Sequence, residues 1–461
     1  MTIINLGNFS NLADIYPTVP LLANTTKTAD DSLVLASVLL SLVVIYLASK
    51  IGGEICVRLN QPPVLGELIG GVIVGISVLH LLVFPGTEGT ETQSLLINFL
   101  QTTAGITLDT AQNVFETQRE VISILADIGV IILLLEIGLE SDLTELIKVG
   151  PQATVVAFVG VILPFFFGTL GLIYIFHTDM IPAIFAGAAL TATSIGITAK
   201  VLTEINRLSS TEGQIIIGAA VLDDILGIIV LAVVASLAKT GKVEISNVIY
   251  LIIVSVVFLV GSIVLGRWLN PYFVWLVNQL KTRGSLLIVS LIFAFILAYI
   301  ANVIHLEAIL GSFAAGLILA ETEKRKELLE QIVPIADKFV PIFFVVVGAK
   351  TDFTVLNPSI PANREGLIIA SFLIIVAIFG KMATGLVVFG KSNINRLAIG
   401  VGMIPRGEVG LIFAGVGSSI GILSAANNTA IIMMVILTTF LAPPLLRLVF
   451  EEKKQTNISG E

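Results

Sequence analysis

Residues 214–238 read Gln214-Ile-Ile-Ile-Gly-Ala-Ala-Val-Leu-Asp223-Asp224-Ile-Leu-Gly-Ile-Ile-Val-Leu-Ala-Val-Val-Ala-Ser-Leu-Ala238. As a helix rising about 1.5 Å per residue, this stretch covers the roughly 30 Å hydrocarbon core of a bilayer. Its two adjacent carboxylates then lie near mid-depth, where each ionised acid costs roughly 2.5–3.5 kcal/mol on the insertion scale. Neighbouring side chains on a helix point about 100° apart, so one partner cannot shield both. A core helix of a soluble protein, a structural ion pair in a membrane bundle and a cation or proton site are the three readings open to such a sequence. The composition removes the first. Hydrophobic residues make up 56% of the chain and charged residues 13%, with a mean hydropathy of +1.01. Soluble domains carry about 25% charged residues, so the chain is read as a polytopic membrane protein.

The same composition excludes other classes of function. There is no basic stripe for nucleic acid. Cys56 stands alone, and His80, His177 and His305 are scattered without metal-ligand spacing. No Ser/Lys or Ser/His dyad suggests an intramembrane enzyme, and no cofactor motif is present. The N-terminus has no basic stretch leading directly into an apolar core, so no cleavable signal is expected.

Thirteen apolar runs follow one another: 32–50, 62–84, 121–140, 152–177, 180–204, 212–238, 245–268, 284–303, 305–322, 331–350, 365–390, 395–422 and 428–449. Between alternate runs, sixteen Lys and Arg fall on one side and six on the other. The positive-inside rule then puts the N-terminus outside and the C-terminus in the cytoplasm. Lys338, Lys381 and Arg406 fall within runs. The segment Glu321–Glu327 reads as a solvated loop, and Pro85–Glu120 as a long loop. Glu67, Asp127, Glu136 and Asp337 read as helix-end or interhelical partners.

Two halves of the chain echo each other. Leu65-Gly66 with Gly71 matches Leu310-Gly311 with Gly316, and Ala126-Asp127 with Gly138 and Asp142 matches Ala336-Asp337 with Gly348 and Asp352. The offsets are 245 and 210 residues; the difference approximates the length of the Pro85–Glu120 insertion. Six runs, one connecting run at 245–268 and six more invert the second copy relative to the first, an arrangement typical of transporters with a mid-membrane site.

In each copy the penultimate run is interrupted. The first contains Leu190-Thr-Ala-Thr-Ser-Ile-Gly-Ile-Thr198, and the second Gly402-Met-Ile-Pro-Arg-Gly-Glu-Val-Gly410. Pro405 removes a backbone donor and clashes with the preceding turn, so a continuous helix is disfavoured there. Unwound backbone at membrane depth is tolerated only inside protein or beside a wet cavity. Thr191, Thr193, Ser194 and Gly196 in the first interruption, and Pro405, Arg406, Gly407 and Glu408 in the second, are the candidate lining. Arg406 and Glu408 suit the charged ends of half-helices. Lys381, mid-run, needs an acidic partner, with Asp223, Asp224 and Glu408 available.

On these residues the chain resembles the monovalent cation:proton antiporters of the NapA and Kef-like branch. The motifs are Val64-Leu-Gly-Glu67 with Gly71 and Gly75, Ile137-Gly-Leu-Glu140, Asp223-Asp224, Gly380-Lys381 and Pro405-Arg-Gly-Glu408, and the likeness spans about residues 32–449. Relatives with Thr-Asp-Pro in the first interruption differ from the Thr191-Ala192-Thr193-Ser194 found here, which favours the two-aspartate subfamily. The resemblance implies an all-α polytopic membrane protein of thirteen transmembrane helices, with inverted six-helix repeats and two crossed discontinuous helices. It implies a homodimer in the lipid bilayer: a dimer domain at about 32–140 and 284–350, a core domain at about 152–238 and 365–449, and a linker helix at 245–268. An extracytoplasmic arm at 1–31 and a cytoplasmic tail at 450–461 would flank them. It further implies that Asp224 is the ion-binding acid, that Asp223 pairs with Lys381, and that Glu408 belongs to the second broken helix.

The expected activity is electrogenic exchange of Na+ for protons by elevator-type alternating access, without a cofactor. Asp223 and Asp224 hold Na+; Thr191, Thr193, Ser194, Lys381, Arg406 and Glu408 support the site; Gly196, Pro405 and Gly407 form the broken-helix elements. Li+ is a further candidate cargo. The alternatives are K+/H+ antiport on the same fold and a sodium-coupled symporter for organic anions. The expected location is a bacterial plasma membrane or an internal, thylakoid-type membrane.

Overall fold

The computed structural model describes the backbone of residues 21–84, 94–104, 107–240, 242–243, 245–357, 359, 361–389 and 394–458. The chain is helical throughout this range: α1 (Leu21–Arg58), α2 (Pro63–Val74), α3 (Leu95–Ala104), α4 (Leu108–Glu140), α5 (Leu143–Tyr174), α6 (Met180–Ala189), α7 (Ile195–Glu204) and α8 (Thr211–Thr240). Then come α9 (Ile245–Gln279), α10 (Ser285–Val303), α11 (Ala308–Ala320), α12 (Arg325–Ala349), α13 (Pro361–Met382), α14 (Arg396–Gly402), α15 (Glu408–Ser419) and α16 (Ala425–Ile458). Short 3-10 helices cover Phe353–Leu356 and Ala383–Val387. Among the described residues, nine helices are long and apolar enough to cross a membrane: α1, α4, α5, α8, α9, α10, α12, α13 and α16.

The other four apolar runs do not form single long helices. The runs 180–204 and 395–422 split into α6 with α7 and α14 with α15. The runs 62–84 and 305–322 yield only the short α2 and α11, of 12 and 13 residues. At about 1.5 Å per residue neither reaches across a 30 Å core. They lie inside protein: every residue from Ile309 to Leu319 is buried, as are eight positions of α2. Helix α2 stops where Gly75 turns extended, and the chain folds back through His80 at φ 50°.

Two other expectations need correction. The Pro85–Glu120 stretch is not all loop, because α3 and the first turns of α4 lie within it. Those turns are polar enough to escape an apolar window, but Thr107 caps them by accepting from the Thr110 amide. Ala111, Val114 and Phe115 bury their one apolar face against Val83 and Ile97. Glu321–Glu327 is likewise more than a solvated loop. Arg267 pairs with Glu321 at 2.7 Å, and Arg325 donates to the carbonyls of Leu139 and Glu140 at 2.8 and 2.9 Å. A guanidinium there satisfies terminal carbonyls at the negative end of α4. Helix α1 begins at Leu21, within the expected arm, and its apolar span at Asp31; residues 1–20 lie outside the described residues, as do 459–461 of the expected tail.

Two sets of helices result. In one, α4 packs on α11 and α12, α1 on α2, α2 on α12, and α10 on α11. In the other, α5 packs on α6, α8 and α13, and α16 on α13 and α15. Helix α9 touches α8, α10 and α11, while α7 lies between the sets against α2, α4, α8 and α16. Backbones approach closely at glycines. Gly71 of α2 lies against Gly348 of α12, and Gly138 of α4 against Gly316 of α11; a Cβ on Gly138 would fall 2.8 Å from the Gly316 Cα. Rigid backbone cannot yield, so Gly138→Val overpacks this crossing. We expect a loss of about 3 kcal/mol, the upper part of the overpacking range, read as a lower melting temperature of the purified protein. An unchanged melting temperature would contradict this packing.

Candidate ion-binding site

Asp223 and Asp224 lie twelve and thirteen residues into the thirty-residue α8 and are 0% and 2% exposed. Lys381, near the end of α13, is also fully buried, and its Nζ donates to Asp223 Oδ2 at 2.9 Å. The sequence left three acids open as its partner; the structure selects Asp223. Among the described residues Asp223 Oδ1 has no hydrogen-bond partner. Removing one member of such a pair strands the other charge in a medium that solvates it poorly.

The two interruptions lie against each other. Between α6 and α7, the segment Leu190–Ser194 meets Met403–Gly407, which joins α14 to α15. The Ser194 amide donates to the Pro405 carbonyl at 2.8 Å. Thr193 Oγ1 donates to Met403 O at 3.2 Å, and Thr198 Oγ1 to Gly402 O at 3.0 Å. Arg406, 0% exposed, donates from Nη1 to Ala192 O at 2.9 Å, and Thr439 of α16 donates to the Arg406 carbonyl. Each interruption thereby supplies the partners that the other lost by leaving the helix, which is what buried backbone requires. Gly407 permits the approach, since a Cβ there would fall 2.8 Å from Ser194 Oγ.

Helix α8 faces this crossing. Gly227, one turn beyond Asp223, stands beside Ala192 of one interruption and Val409 just after the other. Arg406 and Lys381 both lie within electrostatic range of Asp223. Two further nitrogens of Arg406, Nε and Nη2, have no hydrogen-bond partner among the described residues. The arrangement therefore concentrates two carboxylates, two cations and the open ends of four half-helices in one buried volume.

Not every expected residue points there. Thr191 Oγ1 donates to Ala188 O on its own half-helix, and Thr193 is engaged with Met403 O and, at 3.5 Å, with Arg406 Nη1. Both hydroxyls stabilise the unwound backbone. Gly196 faces Val130 and Phe343 of the other helix set. Pro405 and Gly407 sit in the second interruption, as expected. Glu408 opens α15, but its side chain lies outside the described residues. Sequence reasoning missed Thr198, Gly227 and Thr439. Thr198 stood in the quoted hydroxyl-rich segment; the other two gave no signal within their apolar runs.

A cavity of about 720 Å³ opens between the helix sets. Asp127, Asn302, His305 and Glu307 line it from one set, with Ile228 of α8 and Ile412 of α15 from the other. Asp127 also lines a smaller cavity of about 80 Å³ that reaches Gly407 and Thr439 at the crossing.

The family model for transmembrane sodium/hydrogen exchangers matches residues 38–452. The chain is 66% identical over 441 residues to the high-affinity Na(+)/H(+) antiporter NhaS3 of Synechocystis sp., covering 95% of this chain and 96% of that one. It is 32% identical over 425 residues to the Na(+)/H(+)-K(+) antiporter GerN of Bacillus cereus, covering 89% and 96%. Among solved structures, the sodium proton antiporter MjNhaP1 of Methanocaldococcus jannaschii superposes with a TM-score of 0.57 at 18% identity, over 92% of this chain and 96% of that one.

Proposed function

This chain belongs to the family of transmembrane sodium/hydrogen exchangers, and from that premise we propose that it exchanges Na+ for protons at Asp223 and Asp224. The observation that carries the assignment is the fully buried Asp223–Lys381 pair beside Asp224, set against two interrupted helices. A charge costs several kcal/mol at such depth and is normally tied to transport or to a relay. Asp224 is the principal ion ligand in this reading, joined by Asp223, carbonyls of the interruptions and water. Protons compete with Na+ for the same carboxylates, and that competition couples the two fluxes.

The reading extends to the moving parts. The set containing α5–α8 and α13–α16 is the core domain, which carries the site. The set containing α1, α2, α4 and α10–α12 is the dimer domain, through which a second copy assembles, and α9 links them. Sliding of the core domain exposes the site to each side in turn. The cavity holding Asp127 and Glu307 is then the extracytoplasmic entrance, where acidic walls raise the local cation concentration.

In this reading the thirteen crossings are the nine long helices, the two interrupted pairs, and the apolar runs 62–84 and 305–322 that hold the short α2 and α11. The inverted repeat is supported by reciprocal contacts. Gly71 and Gly316 are equivalent at the 245-residue offset and Gly138 and Gly348 at 210; Gly71 lies against Gly348, the equivalent of Gly138, and Gly138 against Gly316, the equivalent of Gly71. Helix α1 meets Gly66 at Gly52, while α10 meets the equivalent Gly311 at Leu297, again 245 residues on. Two-fold symmetry relates such contacts without further assumption.

Proteoliposomes with an internal pH dye test the function. Imposed Na+ gradients move protons in the opposite direction, whereas K+ gradients do so weakly. A response to K+ alone would move the assignment to potassium exchange, and no response to either would remove it.

A further inference from the structure

We propose that Gly160 of α5 is a positioning residue for the Lys381 ammonium, so that a helix carrying none of the site's charges sets the Lys381–Asp223 pair. A Cβ built on Gly160 would lie 3.1 Å from Lys381 Nζ, 3.3 Å from Thr384 Cγ2 and 3.5 Å from Lys381 Cδ. The first two distances are tighter than ordinary carbon contact. Alanine is the better helix former, and Gly160 sits in the middle of α5 without a positive φ, so helix geometry gives no reason for glycine here. Space for the ammonium does.

The rest of the seat leaves Lys381 nowhere to retreat. Gly380 packs on Pro164 of α5, where a Cβ would come within 3.0 Å of the proline ring. Thr384 Oγ1 donates to Lys381 O at 2.6 Å, and α13 tightens into the 3-10 helix Ala383–Val387 immediately after Met382. From the far side Gly400 of α14 closes on Met382, with a Cβ there 2.5 Å from the Met382 carbonyl. With the backbone held between α5 and α14, a methyl group at position 160 is accommodated by a shift of a few tenths of an ångström in the side chain of Lys381, which strains its 2.9 Å contact with Asp223. The other glycines of α5 differ in kind. Gly168 faces Leu190, Gly171 faces Phe372, and Gly150 has nothing within 4 Å.

This inference rests on the proposed Na+/H+ exchange at Asp223 and Asp224, extended by one step: release of Asp223 from Lys381 when Na+ binds would couple transport to membrane potential. Four proteins test it in proteoliposomes with a clamped potential: Gly160→Ala, Lys381→Gln, the two combined, and Gly160→Ala with Thr384→Ser. Gly160→Ala is expected to slow exchange about tenfold, the equivalent of ~1.4 kcal/mol, and to move the reversal point in the direction that Lys381→Gln moves it. In the Lys381→Gln background the methyl group has no ammonium to displace and meets only Thr384 Cγ2, so the loss it adds is much smaller than in the parent. Thr384→Ser removes the methyl that Gly160→Ala crowds and keeps the hydroxyl, restoring part of the activity. Gly160→Ala indistinguishable from the parent, or equally damaging with and without the lysine, would overturn the assignment. Melting temperatures of the same proteins separate it from the coupling reading. If Lys381→Gln leaves potential dependence intact, coupling through this pair is wrong, yet Gly160→Ala still lowers the melting temperature far more when Lys381 is present than when it is absent. A Gly160→Ala protein too unstable to purify gives the same answer when the combined variant with Lys381→Gln folds, and the opposite answer when it does not.

Discussion

Asp224→Asn is expected to reduce Na+-driven proton movement to the background of empty liposomes while leaving a folded protein. The substitution keeps the shape of the side chain and removes its charge and its proton. At an effective dielectric constant of about 20, a unit charge about 4 Å from a cation contributes roughly 4 kcal/mol. At 1.4 kcal/mol per tenfold, that is roughly a thousandfold in Na+ affinity. The proton carried by the carboxylate is lost as well, so a saturating Na+ concentration does not restore exchange. Stability should not fall, because a buried charge is removed rather than stranded. Sizeable exchange by the Asn variant would move the ion site elsewhere.

Lys381→Gln is expected to act on stability and coupling together. It leaves Asp223, at 0% exposure, without the ammonium 2.9 Å away. Breaking a buried pair in this way costs roughly 3–5 kcal/mol, read as a large drop in melting temperature. The fully buried Arg406, within electrostatic range of Asp223, keeps the cost toward the lower end. If Lys381 releases Asp223 when Na+ binds, exchange moves net charge, and the variant loses that dependence on membrane potential. Exchange in the parent protein whose reversal point ignores an imposed potential would contradict two protons for one Na+.

Much of the site was legible because burying charge in an apolar run leaves few physical alternatives. Asp223, Asp224 and Lys381 stood out against their neighbours, and the pairing left open among three acids is realised with Asp223. Pro405 among glycines and charges marked one interruption, and the hydroxyl-rich Thr191–Thr198 segment marked the other. Which way those hydroxyls turn was not legible. A threonine next to unwound backbone can donate its proton to a carbonyl and still offer its lone pairs to an ion; Thr191 and Thr193 donate to Ala188 O and Met403 O. The short α2 and α11 were also invisible, because an apolar run reports an apolar environment and not whether lipid or protein supplies it. Polar turns hid the start of α4, which a threonine cap and one apolar face hold in place. Gly160 looked like any small residue in a membrane helix until the position of Lys381 gave its missing side chain a reason.

Competition between Na+ and protons for one pair of carboxylates is the centre of the account, and proton release on binding measures it without transport. Purified protein in a weakly buffered solution with a pH indicator is titrated with NaCl, with choline chloride as the control for ionic strength. The account predicts that protons leave as Na+ binds, that the release saturates with the binding curve, and that Asp223→Asn/Asp224→Asn abolishes both. Na+ binding without proton release, or undiminished release from the double variant, would contradict it.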